Sequence, residues 1–195
     1  MKNKKRLLIL LVALVVAGGV SMIFGSSGYF QGRINLNEFS VSLSPSSPSG
    51  LRSVSPTDTV AVFTICKNLS TKIPLVSLRF NLKGPDDLNP SALADPVSNP
   101  NRFALEGEEF VGSYSVVSSS SSNVEVNYKL RDPMKMEKRS CKDVRVVLDS
   151  AELLNERAGS DDRFQVTLKD LYATASTGHV RVSSNAPVDA NMLSY

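Results

Sequence analysis

The sequence has no tryptophan, a single histidine at position 179 and only two cysteines, Cys66 and Cys141. Each scarcity removes a class of function. His179 has no Ser, Asp or Cys partner at a triad-like spacing, and the chain holds no Cys/His pattern of the zinc type. A glycine-rich phosphate loop and a Gly-x-Ser-x-Gly nucleophile turn are missing too. Excess positive charge is also scarce: four of the 22 Lys+Arg stand at Lys2, Lys4, Lys5 and Arg6, which leaves 18 beside 19 Asp+Glu. A near-neutral remainder argues against nucleic acid as a partner, because displacing counterions from phosphates takes a net basic face. These residues imply no cofactor and no resident metal.

Long apolar runs are confined to one place. The four cations at the start are followed by an uncharged apolar run over residues 7–24. At about 1.5 Å per helical residue it reaches roughly 27 Å, close to the ~30 Å of a bilayer's hydrocarbon core. It therefore reads as an N-terminal transmembrane helix, with Leu7, Leu11, Leu14, Val20 and Phe24 among the residues that meet membrane lipid, or as a secretory signal. Ala17, Gly18, Gly19 and Ser21, or Gly25-Ser26-Ser27, offer small residues for cleavage. Apolar character resumes at Val20, Met22, Ile23 and Phe24, which makes the run long for a signal core and favours a retained anchor. No cysteine stands just after the run to carry a lipid. The cations precede the run and only Arg33 follows nearby, so the positive-inside bias leaves the amino terminus cytoplasmic. Residues 25–195 are then extracytoplasmic, or secreted if the leader is cut.

Beyond the apolar run the chain reads as a stalk over 25–38, rich in Gly and Ser, and one β domain over 39–195. Phe39-Ser40-Val41-Ser42-Leu43 alternates apolar and polar, and the Pro/Ser/Gly stretch to Gly50 ends it. Thr59 to Cys66 is apolar and β-branched on both faces, which suits a central strand. Val76 to Lys83 alternates, so one face is expected buried and the other wet. Four prolines between Pro85 and Pro100 predict an irregular connection. Strands at Ser113–Val117 and Val124–Leu130 flank a serine-rich tip and predict a hairpin. Val144–Leu148, Phe164–Leu168 and Val180–Val182 complete the set. Asp149 with Glu152 three residues on is a capping-box pattern for one short helix, with Gly159 to stop it. No helical period of useful length recurs after residue 24. The fold class is all-β: an antiparallel Ig-like β-sandwich of seven to nine strands.

The stretch Ser55-Pro56-Thr57-Asp58-Thr59-Val60-Ala61-Val62-Phe63-Thr64-Ile65-Cys66-Lys67-Asn68-Leu69-Ser70, with the alternating strand to Leu82, resembles the immunoglobulin-like modules of prokaryotic envelope proteins. In those modules a Pro-Gly-Asp turn feeds a strand that ends in Asn and small polar residues. Thr57 replaces the usual Gly, and without Trp the immunoglobulin family proper is not implied. The resemblance implies a surface module for spacing, adhesion or assembly, with no catalytic residues to transfer. Cys66 and Cys141 then fall where inter-sheet bridges of such sandwiches tend to lie, and an exported chain sits where a disulfide persists. Two separately buried thiols are the other reading.

The remaining candidates are weaker. Asp86-Asp87, Glu106-Gly107-Glu108-Glu109 and Asp161-Asp162 could offer oxygens to Ca²⁺, but none has a calcium-loop pattern. Residues 129–145 hold seven basic residues against Asp132, Glu137 and Asp143, a stretch that could touch anionic lipid or envelope polymer. Asn68-Leu69-Ser70 satisfies the glycosylation sequon. The expected function is a non-enzymatic, membrane-anchored surface protein that binds an envelope protein or polysaccharide through loops or sheet edges. A pilus-type subunit is one rival, although its early Glu is missing, the first acid being Glu38. A secreted hydrolase with acids converging from distant loops is the other.

Overall fold

The computed structural model describes residues 37–86, 88–107, 109–154, 162–175 and 178–195. The expected anchor, with Leu7, Leu11, Leu14, Val20 and Phe24, and the stalk up to residue 36 lie outside the described residues. Among the described residues no helix is long and apolar enough to cross a membrane.

Alternation of apolar and polar residues builds two sheets that bury their facing sides. The smaller has four strands in the order β1-β3-β8-β5: β1 (Phe39–Leu43), β3 (Asp58–Lys67), β8 (Cys141–Leu148) and β5 (Phe103–Glu106). The larger runs β2-β12-β9-β4-β7-β6: β2 (Gly50–Leu51), β12 (Leu193–Ser194), β9 (Arg163–Ala175), β4 (Leu75–Lys83), β7 (Asn123–Met134) and β6 (Gly112–Ser119). β10 (Gly178–Arg181) and β11 (Val188–Asp189) also pair with β9. Aromatic rings lock the sheets together. Phe63 and Phe103 of the smaller sheet meet Phe80, Tyr114 and Tyr128 of the larger at centroid distances of 5.6 to 6.3 Å. Phe63, Phe80 and Phe103 are fully buried, and each such ring contributes roughly 1.5–3 kcal/mol through the water it sheds.

The all-β sandwich stands, and three finer expectations do not. Twelve strands occur among the described residues where seven to nine were expected. Three of them, β2, β11 and β12, have two residues each, too short for any alternation to show. The arrangement is not wholly antiparallel, since β12 pairs with β2 in parallel. Cys66 and Cys141 are bonded, but not between sheets: they are register partners on β3 and β8, so the disulfide ties two neighbouring strands of one sheet. The strict Ig-like placement is therefore wrong for this pair. Glu38, just before β1, is buried and pairs with Lys67 of β3.

Local chemistry explains the rest. β3 is covered on both faces over Val60, Ala61, Val62 and Phe63, helped by a bulge between Thr59 and Ala61. Its outer side is roofed by the serine-rich turn after β1, where Val62 donates its N–H to Ser47 Oγ at 3.1 Å. The outer face of β4 is less wet than alternation predicts: Ser77 is buried, and Arg79 and Asn81 are half-buried. The serine hairpin forms between β6 and β7, with Asn123 N–H donating to Ser120 Oγ at 3.1 Å. Helix α1 (Ser150–Leu153) is capped by the Asp149 carboxylate, which accepts from Glu152 N–H at 3.1 Å. It ends at Leu153, short of the expected stop at Gly159, which lies outside the described residues. The connection over 86–100 contains 3-10 turns at Pro90–Leu93 and Pro100–Arg102, and its Leu88, Ala92 and Leu93 are buried.

Tyr195 closes one end of the sandwich. Its ring is buried against Phe164 and its hydroxyl donates to Asp58 Oδ2, while Arg52 pairs with Asp58 Oδ1. Burial, then the hydrogen bond to the Asp58 carboxylate, hold the phenol far above its ordinary value. A raised folded value means stability is intact below the unfolded tyrosine's pKa of about 10 and is lost as pH climbs toward the folded value. Tyr195→Phe is expected to cost about 1–3 kcal/mol at neutral pH and to flatten the alkaline decline above about pH 10. Urea midpoints measured at neutral and alkaline pH check both. An unchanged alkaline slope would show that other tyrosines govern it.

Candidate functional site

The site is built where the described chain enters the sandwich. Along β3 the inward positions run Phe63, Ile65, Lys67, so the alternation that buries two apolar side chains also turns a lysine inward. Lys67 is 1% exposed. Its ammonium pairs with Glu38 Oε1, donates to the Ile73 carbonyl at 3.1 Å and lies 4.5 Å from the centroid of the Phe39 ring. Thr71 adds its hydroxyl to the same Glu38 oxygen. A buried charge is costly unless paired and hydrogen-bonded, and here both ions are. The pair thereby ties down the loop over 68–74, because Thr71 and Ile73 both hold it.

That loop is the shared wall of two grooves. One, of about 370 Å³, runs between residues 70–74 and 135–138, with Ile73, Pro74 and Met136 supplying apolar surface. The other, of about 310 Å³, runs from Ile73 to Val180 and Val182. Ile73 is 38% exposed and Val180 44% exposed, so the grooves present apolar side chains to water. Lys72, Lys135 and Lys138 stand around the first groove, with Glu137 as its one acid. Arg139, at a φ of 64°, turns the neighbouring loop and donates its N–H to the Lys67 carbonyl at 2.7 Å. An apolar trough with cationic edges suits an amphipathic partner carrying negative charge.

The expected basic stretch over 129–145 is thus divided. Lys135 and Lys138 reach the groove, Lys142 pairs with Glu109 at 2.9 Å, and Lys129 lies on the outer face of the larger sheet. His179 sits in β10 opposite Thr174 and is exposed. Asp86 lines a different groove, beside Lys83 and Arg163, so Asp86 and His179 do not share a cleft. Among the described residues no three His, Cys, Asp or Glu side chains cluster to hold a metal ion; Asp87, Glu108 and Asp161 lie outside them. The Asn68 amide of the sequon is engaged, donating to the Asn37 carbonyl at 3.1 Å and accepting from Ser40 Oγ at 3.2 Å. Lys67 and Glu38 form a buried ion pair that the sequence reading did not single out. The signal was a lysine in step with Phe63 and Ile65.

No protein-family model matches the chain, and no curated protein does. Among solved structures it is similar to the seventh ScaB type I cohesin of Pseudobacteroides cellulosolvens, at 9% identity and a TM-score of 0.37, covering 80% of this chain and 90% of that one. It is similar to a type I cohesin–dockerin complex from Clostridium thermocellum, at 11% identity and a TM-score of 0.38, covering 83% and 97%. A non-cellulosomal cohesin from Archaeoglobus fulgidus matches at 9% identity and a TM-score of 0.36, covering 80% and 90%. At these scores the likeness assigns the chain to no family.

Proposed function

We propose that this chain is a membrane-tethered, extracytoplasmic β-sandwich that works as a binding module, and that the paired grooves at Ile73 receive an acidic, amphipathic segment of another envelope protein. The lysine-edged apolar trough carries the reading, since its charge and its exposed Ile73 and Val180 complement such a segment. The disulfide supports an oxidising compartment, and the apolar run over 7–24 supports the tether.

Two measurements on the full chain test it. Alkaline extraction of membranes is expected to leave the protein in the pellet; a wholly soluble product lacking residues 1–27 would overturn the tether. A photo-crosslinker at position 73 is expected to yield a discrete protein adduct that Lys72→Glu with Lys135→Glu reduces about tenfold. The same probe at Leu51, which is 76% exposed on β2, serves as the control. Equal adducts at both positions, or adducts indifferent to charge reversal, would sink the groove assignment.

A further inference from the structure

The outer face of the larger sheet carries a second arrangement, separate from the Ile73 grooves. Register places Ser77 of β4 opposite both Lys129 of β7 and Tyr172 of β9, and Arg79 opposite both Asn127 of β7 and Asp170 of β9. With His179 of β10 these six side chains line an open groove of about 250 Å³. The guanidinium of Arg79 lies over the Tyr172 ring, 5.1 Å from its centroid, which fixes its plane. Its Nη1 pairs with Glu125 at 3.4 Å, while its Nε–H is buried and has no acceptor among the described residues.

Charge on this face is unbalanced toward cations. Glu125 is shared between Arg79 and Lys169, the latter at 2.7 Å. Asp170 of β9, beside Arg79, is largely buried and forms an ion pair with Arg181 at 2.5 Å. Lys129 is exposed and has no ion pair among the described residues. The groove is therefore lined by a guanidinium, an ammonium, an imidazole, an amide and two hydroxyls, and no acid stands in its lining. Such a donor set recognises anionic oxygen, and a planar guanidinium favours a carboxylate.

We propose that this groove is a subsite for a carboxylated sugar, with Arg79 and Lys129 taking the carboxylate and Asn127, Ser77 and His179 taking ring hydroxyls. The shallow, open shape admits one unit of an acidic polysaccharide laid across the strands. The subsite does not depend on the Ile73 grooves.

The test is a titration of the purified full chain, in detergent, with glucuronate, glucose and inorganic phosphate, followed by calorimetry and by the His179 imidazole resonances. Glucuronate is expected to bind and shift those resonances, and glucose to leave them in place. Lys129→Ala and His179→Ala, both at exposed positions, are each expected to weaken glucuronate by about tenfold while the thermal midpoint holds. Oligogalacturonate is expected to bind more tightly than the monosaccharide if a polymer is the source. No saturable glucuronate binding, phosphate binding as tight as glucuronate, or affinity unchanged in both variants would each overturn the subsite.

Discussion

Replacing both Cys66 and Cys141 by serine is expected to lower the unfolding free energy by about 4 kcal/mol, a large share of a domain's marginal total. The effect acts through the unfolded chain. The bond closes a loop with a sequence separation of 75, and the entropy it removes from the denatured ensemble grows with that length. The native state gains little from it, because β3 and β8 are already paired from Asp58↔Leu148 to Cys66↔Cys141. Cys141 is exposed and Cys66 half-buried, so serine at these positions leaves little cavity and the measured loss mainly reports the cross-link. Urea unfolding of the wild type with and without reductant, beside the double serine variant, checks it: reduced wild type and variant are expected to share one midpoint. A loss below about 1 kcal/mol would mean that the denatured chain keeps β3 and β8 together without the bond.

Much of this fold was legible because period-two alternation states both the strand and its buried face. Phe39–Leu43 was bounded to the residue, and β3, β4, β6, β7 and β8 were located with their ends short by a few positions. The Asp149 cap was legible for a different reason, since one carboxylate three residues before an N–H is a purely local event. The features that escaped depend on partners far along the chain. β2 and β12 are strands only because Leu193 aligns with Gly50 and with Phe164, and no two-residue segment can announce that. β5 hides behind a proline-rich loop, although Phe103 is a hub of the aromatic core. The disulfide's partners were named, but their place within one sheet comes from the order β1-β3-β8-β5, which composition does not encode. The Ile73 grooves escaped for the same reason: residues 70–74 and 135–138 meet only because Leu75 aligns with Met134.

Glu38→Ala is expected to cost about 3–5 kcal/mol, because it leaves the Lys67 ammonium buried with only the Ile73 carbonyl and the Phe39 ring for company. Lys67→Met with Glu38→Leu should behave otherwise. Removing both charges removes both desolvation costs, so the double variant is expected within about 1 kcal/mol of the wild type, or above it. The cycle of Lys67→Met, Glu38→Leu and their double should therefore show a coupling of about 3 kcal/mol or more, read from urea midpoints. Additive losses would mean that the ions do not act as a pair. Stability is only half of the outcome. Thr71 and Ile73 are held by these two ions and by no other side chain among the hydrogen bonds described, so the apolar double should fold well and still loosen residues 68–74. Amide exchange in that loop is expected to quicken, and the position-73 crosslink to weaken, in a protein whose global stability is unimpaired. That combination separates two roles for a buried ion pair, since a stabilising role predicts loss of fold and a positioning role predicts loss of the groove alone. The geometry favours the second: the charges sit under the one loop that walls both grooves, and the core beyond Phe39 and Ile65 is closed without them.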